Sequence, residues 1–368
     1  MSAQELSTIR DDLLRVFNTG KTRSYEYRMS QLRGIKQFLI KEEAALVEAL
    51  HQDLHRPSFE GSCLEIGSIH ADLDEIMKNL AKWMDPEVTP IPAVFAPAKS
   101  EIHFDPFGVC LLICPFNYPI ILALGPLIGA IAGGNCAVIK PSEMTVACER
   151  VLRDLLPKYI DRECYRVVCG DASTNQALLK LRWDKIFFTG STRVGKIVMR
   201  AAAEHLTPVS LELGGKTPVI IDQHTVSLET AAKRLVWGKG MNAGQTCMAP
   251  DYCFVHDSVY DEFLSLIKKF SLELYSANSK DSPFLSRPVN QMHYERLKGL
   301  IEDSRKELYC GGRTADDDRF VEISVFKDVR KESKIMQEEI FGPLLPTMRY
   351  RDINEVIKYI VDGEKPLS

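Results

Sequence analysis

Apolar positions change their period twice along the chain. From Thr22 to Leu54, Met29, Leu32, Ile35, Leu39, Leu46, Val47 and Leu50 recur every three or four residues among many charges. That spacing lines one face of a helix and predicts an amphipathic helical N-terminal region. After Trp83-Met84 come Pro86, Pro90, Pro92 and Pro97, each of which fixes φ and removes a backbone donor. Residues 85–105 are therefore expected as an extended arm or connector.

Beyond Pro106 short apolar runs take over: Val109 to Cys114, Ala137 to Ile139, Arg166 to Val168 and Ile186 to Thr189. Helical segments fill the gaps near Ile120 to Ala132, Ala147 to Leu156, Thr174 to Leu181 and Arg193 to Glu204. Continuously apolar runs of this length suit strands buried on both faces, and strands alternating with helices imply right-handed crossovers onto a parallel sheet. The expected fold class is α/β, with a doubly wound, Rossmann-like dinucleotide-binding domain from residues 1–84 and 106–213. A second α/β series, with Val219 to Ile221, helical Leu228 to Trp237 and strand-like Tyr252 to His256, predicts another domain over 214–368. There is no internal repeat and no low-complexity segment.

Composition narrows the class. With 368 residues, 45% hydrophobic, 26% charged and net charge −4, the chain resembles an ordinary globular protein too long for one core, which agrees with two domains. No basic excess or cluster argues for nucleic acid or a membrane surface as partner. Ten scattered cysteines and no charged-then-apolar leader predict reduced thiols, with the cytoplasm as the default location. The most apolar stretch, Tyr118 to Ala132, is shorter than the ~20 residues of a spanning helix and is interrupted by Pro119, Gly125, Pro126 and Gly129, so it predicts a buried helix.

Three loops carry candidate binding chemistry. Phe187 to Lys196 is an apolar strand, a glycine turn and a helix start, the arrangement that turns backbone N–H groups and the positive helix end toward a phosphate. Gly190, Gly195 and Lys196 have P-loop spacing, but Ile197 stands where a hydroxyl would hold magnesium. A dinucleotide pyrophosphate is thus favoured over a hydrolysed triphosphate. Asn117, framed by Pro115 and Pro119 after the first strand, is placed to donate an amide hydrogen bond to an oxyanion or simply to cap a turn. Lys140 and Glu143 end the next strand, where a doubly wound sheet binds a nucleotide ribose.

Cys247, in the run Gly244-Gln245-Thr246-Cys247, is the candidate nucleophile. A thiol of ordinary pKa, near ~8.5, is mostly protonated at neutral pH and needs local help, and Glu212 is a candidate for it. Cys253-x-x-His256 lacks a second ligand pair, so no metal site is expected.

Six segments in order carry a resemblance to the aldehyde dehydrogenase superfamily: Asn117 in its Pro-Phe-Asn-Tyr-Pro loop, Lys140 to Glu143, Thr189 to Gly195, Glu212 to Lys216, Gly244 to Cys247 and Glu338 to Pro343. It spans essentially the whole chain, and Cys247-Met248-Ala249-Pro250-Asp251-Tyr252, with a short N-terminus, is similar to the class 3 branch. Phe116 departs from the tryptophan common in the family.

The resemblance implies oxidation of medium or long aliphatic, or aromatic, aldehydes to carboxylic acids with NAD or NADP. Cys247 would attack the aldehyde, Asn117 and the Cys247 N–H would stabilise the oxyanion, and Glu212 would activate water against the thioester. Lys140 and Glu143 would take the adenosine ribose, Ser191 the pyrophosphate, and Glu339 and Phe341 the nicotinamide end. The resemblance also implies an oligomerisation arm and, for a complete chain, a homodimer. The rivals are a cysteine-dependent acyl hydrolase or transferase, with His256 as the nearest histidine, and a catalytically impaired, truncated relative.

Relative to the superfamily pattern the chain lacks a closing C-terminal segment: helical Ile353 to Val361 leads through Asp362-Gly363 to a strand-like start at Glu364 to Ser368. Uncovered apolar faces and a free sheet edge favour association. The 368-residue form is expected to be less stable and less active than an extended one, by size-exclusion chromatography, thermal unfolding and an aldehyde assay. A well-behaved, fully active oligomer at this length would refute that.

Overall fold

A computed structural model describes residues 1–368. Their contacts group into two compact units: residues 1–49 with 61–212, and residues 50–60 with 213–368.

The N-terminal helices are α1 (Ala3–Asn18), α2 (Tyr25–Leu54), the single turn α3 (Ser58–Glu60) and α4 (Ser68–Met84), with a π-helical turn at Gly61–Gly67. A capping box starts α1: Glu5 N–H donates to Ser2 Oγ at 3.2 Å and Ser2 N–H to the Glu5 carboxylate at 2.7 Å. The stripe Met29, Leu32, Ile35, Leu39 and Leu46 of α2 is buried, as its period predicts. The helix begins at Tyr25, and just ahead of it the buried Thr22 hydroxyl donates to the Gly134 carbonyl at 2.6 Å. The proline-rich arm is a two-stranded antiparallel ribbon, β1 (Glu87–Thr89) with β2 (Ser100–Ile102), and Val88, Val94 and Phe95 around it are exposed.

The first unit's sheet is built from β3 (Val109–Ile113), α5 (Ile121–Ala132), β4 (Cys136–Lys140), α6 (Val146–Asp154), β5 (Tyr165–Val167), α7 (Ala172–Leu179), β6 (Lys185–Gly190), α8 (Thr192–Ala203) and β7 (Val209–Leu213). The strand order is β5-β4-β3-β6-β7, with β3 parallel to both β4 and β6. The chain thus winds outward from β3 to β5, then crosses to β6 on the other side of β3, so the order reverses between β3 and β6. Every residue of β3 and β4 is buried, which is why they read as unbroken apolar runs. Pro126 sits inside α5 without ending it.

The second unit holds β8 (Pro218–Ile221), α9 (Leu228–Gly240), β9 (Tyr252–His256), α10 (Tyr260–Tyr275), α11 (Gln291–Asp303), β10 (Leu308–Cys310), β11 (Thr314–Ala315), β12 (Phe320–Val321), β13 (Ser324–Phe326), β14 (Leu344–Tyr350) and α12 (Ile353–Asp362). Its main sheet has order β10-β13-β14-β9-β8, parallel except for the antiparallel edge strand β10. Alternate residues of β9 enter different apolar clusters: Cys253 and Val255 pack with Phe263, Ile267 and Phe270, whereas Tyr252 and Phe254 pack with Tyr294, Leu297 and Leu344. Alternation places those clusters on opposite faces of the sheet. After α12 residues 363–368 form no strand, and Pro366 lies 3.0 Å from where a Cβ on Gly215 would stand. No helix is long and apolar enough to cross a membrane.

Candidate active site

In the first unit the candidate residues follow neighbouring strands. Asn117, 3% exposed, lies in the loop from β3 to α5. That loop is anchored by Glu65, fully buried in the π-helical turn, whose Oε2 accepts from Ile120 N–H at 2.8 Å and Ile121 N–H at 3.0 Å. A carboxylate at a helix N-terminus satisfies orphan donors and complements the helix dipole.

Lys140 ends β4 with its side chain 1% exposed, and its ammonium donates to Pro141 O at 2.6 Å and Glu143 Oε2 at 3.2 Å. Gly190 ends β6, where a Cβ would stand 2.6 Å from the Phe188 ring, and Ser191 caps α8 by accepting from Val194 N–H at 3.4 Å. The first intrahelical bond runs from Gly195 N–H to Ser191 O at 2.9 Å, so the N–H groups of Thr192 and Arg193 precede the helical ladder. Backbone donors at a positive helix end suit a pyrophosphate, and a carboxylate held by a buried ammonium suits ribose hydroxyls, so this donor set fits a dinucleotide. Glu212 is exposed on β7.

In the second unit Cys247 is half-buried just beyond the end of α9. The 3-10 turn before it contains Asn242 (φ 49°, ψ 32°) and Ala243 (φ 50°, ψ 36°), followed by Gly244 at φ 71°. Left-handed backbone costs an L-residue about 1–2 kcal/mol, so Asn242 and Ala243 must be held from outside. Gln245, 1% exposed, holds them with both ends of its amide: Nε2 donates to Asn242 O and Arg287 O, each at 3.0 Å, and Oε1 accepts from Val289 N–H at 3.0 Å. Asn242 Nδ2 answers with a bond to Gln245 O at 3.0 Å. Gly244 is required because a Cβ there would strike the Gly342 carbonyl.

The Glu338 to Pro343 segment meets the Gly214-Gly215 turn. Gly215 N–H donates to Glu339 Oε1 at 3.1 Å, and a Cβ on Gly214 would run into the Glu339 carboxylate. Phe341 is half-buried with φ 50°. Burial pushes the Glu339 carboxyl up to about 7, against the Gly215 bond and the charges of Lys239 and Lys216. Burial likewise pulls the fully buried Lys239 ammonium down to about 8, opposed by Asp251 and Glu339.

Sequence reasoning overlooked Glu65, Gln245, Asp251 and Lys239. Gln245 and Asp251 stood inside quoted motifs, but nothing local marked them as braces. His256, the rival's histidine, bonds Ser258 Oγ through Nδ1 at 2.8 Å. No group of three or more His, Cys, Asp or Glu is placed to hold a metal ion.

A doubly wound α/β unit with a dinucleotide-type donor set, in one chain with a second α/β unit carrying a cysteine on a strained turn, defines a two-domain α/β dehydrogenase. The chain belongs to the aldehyde dehydrogenase family, whose model matches residues 4–364. It is 43% identical over 356 residues to aldehyde dehydrogenase family 3 member B1 of Rattus norvegicus, covering 97% of this chain and 75% of the relative. It is 42% identical to 4,4'-diaponeurosporen-aldehyde dehydrogenase of Staphylococcus aureus, over 96% of this chain and 76% of the relative. The structure of the substrate-bound state of Staphylococcus aureus AldH superposes with a TM-score of 0.96 at 40% identity, covering 98% of this chain and 79% of that one.

The two opposed shifts give a pH signature. Glu339 binds its proton more tightly folded than unfolded, so its contribution to stability is present below about 4.5 and lost as pH rises through about 7. Lys239 binds its proton less tightly when folded, so stability is lost as pH falls from about 10.5 through about 8. Glu339→Gln is expected to flatten the decline in denaturant stability between pH 5 and 7, a change of about 1–3 kcal/mol. An unchanged profile in that variant would contradict the burial of Glu339.

Proposed function

We propose that this chain oxidises medium or long aliphatic, or aromatic, aldehydes to carboxylic acids through a covalent thioester on Cys247, with NAD or NADP as cofactor. The observation that carries this reading is a half-buried cysteine three residues beyond a strained, glutamine-clamped turn in a member of the aldehyde dehydrogenase family.

Cys247 Sγ attacks the aldehyde carbon as thiolate, forming a thiohemiacetal. The developing oxyanion takes hydrogen bonds from the Cys247 N–H and the Asn117 amide, donors of a kind whose removal costs other enzymes about 2.7–4 kcal/mol. As the oxyanion re-forms its carbonyl, the C–H bond of the former aldehyde carbon breaks and the thioester results; a nicotinamide bound in the first unit would supply the acceptor for that hydride. Glu212 then takes a proton from water as that water attacks the thioester carbonyl, the carbon–sulfur bond breaks, and acid leaves with Cys247 restored as thiolate. The exposure of Glu212 suits a base that must reach solvent water.

Lys140 and Glu143 hold the adenosine ribose, and Gly190, Ser191 and Gly195 the pyrophosphate at the start of α8. Glu339 and Phe341 hold the nicotinamide end. The ribbon β1–β2 with exposed Val88, Val94 and Phe95 supports a homodimer, and ten cysteines with no disulfide among them support a reducing, cytoplasmic setting.

Cys247→Ala is expected to abolish aldehyde-dependent reduction of the cofactor while leaving dinucleotide affinity, measured calorimetrically, within about twofold of the parent. Turnover close to the parent's would overturn the assignment. Glu212→Gln is expected to give a stoichiometric burst of reduced cofactor followed by stalled turnover, read by stopped-flow absorbance. Loss of the burst together with turnover would move Glu212 from hydrolysis to activation of the thiol.

A further inference from the structure

The strained turn ahead of Cys247 is braced by a segment far from it in sequence. Glu60, the last residue of the single turn α3, is half-buried, and its Oε2 accepts from Asn242 N–H at 3.1 Å across 182 positions. Asn242 is the first of the three left-handed residues. Its N–H therefore stands where the ladder of α9 gives way to the turn, and a carboxylate there fixes the place of the change.

The same segment reaches the clamp by a second route. Arg287 N–H donates to Leu54 O at 2.8 Å, and Arg287 O accepts the Gln245 amide at 3.0 Å. Arg56, 1% exposed, and Tyr275 are the charged and titratable neighbours that interact with Glu60. Burial raises the Glu60 carboxyl above its ordinary range, opposed by Arg56 and by the Asn242 bond. These links join residues 50–60 to the second unit.

We propose that Glu60 is a positioning residue for the oxidation: by holding the Asn242 N–H it sets the left-handed turn that aims the Cys247 thiol. Glu60 acts through Asn242 and the turn, not on the reacting atoms. The role rests on Cys247 being the nucleophile.

Iodoacetamide labelling of Cys247, followed by peptide mass spectrometry and paired with steady-state kinetics, tests it in the full chain. Glu60→Ala is expected to slow Cys247 labelling and lower kcat by about tenfold to a hundredfold, the range for losing a hydrogen bond to a charged acceptor, with NAD affinity within about twofold of the parent. Glu60→Gln, whose amide oxygen accepts the same bond, is expected to retain most of both rates. A folded Glu60→Ala with the parent's labelling rate and kcat overturns the proposal, as does a loss that Glu60→Gln fails to recover. If Glu60→Ala does not fold, Glu60→Asp replaces it: its shorter arm should slow labelling at unchanged melting temperature, and parental labelling again overturns the role. Cys247→Ala is the separate control, because retained turnover in that variant brings down the nucleophile assignment and not the Glu60 bond.

Discussion

The second unit is organised around the carboxylate of Asp251, 3% exposed. One oxygen takes the Lys216 ammonium and the other accepts from Ile340 N–H at 2.8 Å. Lys216 spends its remaining donors on Ile335 O at 3.2 Å and Glu338 O at 3.0 Å. Three stretches remote in sequence, the turn after β7, the segment following Cys247 and the Glu338 to Pro343 run, are thereby pinned at one point. Removing one partner of such a pair strands a buried charge at a cost of about 3–5 kcal/mol, whereas an apolar replacement of both can be neutral. The pair therefore contributes geometry more than stability: it fixes Ile340, and with it the direction in which Glu339 meets the Gly215 N–H.

That geometry places an acid and an ammonium in surroundings that suit neither charge. Desolvation dominates both shifts, raising Glu339 and lowering Lys239. Lys216 opposes the shift of Glu339 and Asp251 that of Lys239, while each reinforces the other shift, and the two are already committed to each other. Glu339 and Lys239 are thus both shifted toward their neutral forms beside a fixed ion pair. Such poise is more common at functional positions than in ordinary cores.

Much of the architecture was legible because local chemistry decides it. Strands β3 and β4 are buried on both faces and hence continuously apolar, and α2 shows its stripe because one face packs inward. Helix α2 runs from Tyr25 to Leu54 within the region expected to be helical, while the partner of Thr22 just ahead of it lies 112 positions away and left no mark in the sequence. The expected strand start after Gly363 does not form: residues 364–368 pair with no strand, their only apolar side chains are Pro366 and Leu367, and Pro366 lacks the N–H a ladder needs. The site motifs were visible as strings, yet the bonds that shape them were not. Glu65 to Ile120, Gln245 to Arg287 and Asp251 to Ile340 span 55, 42 and 89 positions, and no periodicity encodes such a pairing.

The two units position their functional groups by different means. In the first, the sheet does so: Asn117, Lys140 and Ser191 follow β3, β4 and β6, which are neighbours in the order β4-β3-β6. Adjacent strands lie about 4.8 Å apart, so loops leaving the same ends of parallel strands emerge close together whatever their separation in sequence. In the second unit Cys247 leaves a helix through a left-handed turn, and no ladder extends to it. Side-chain bonds must replace the ladder, which is why Gln245 uses both ends of its amide and why Gly244 has no room for a Cβ. On the proposal that Cys247 is the nucleophile such bracing matters, because a reacting atom misplaced by an ångström loses rate steeply. The Gln245 amide and the Glu60 carboxylate both act on the turn that precedes the thiol.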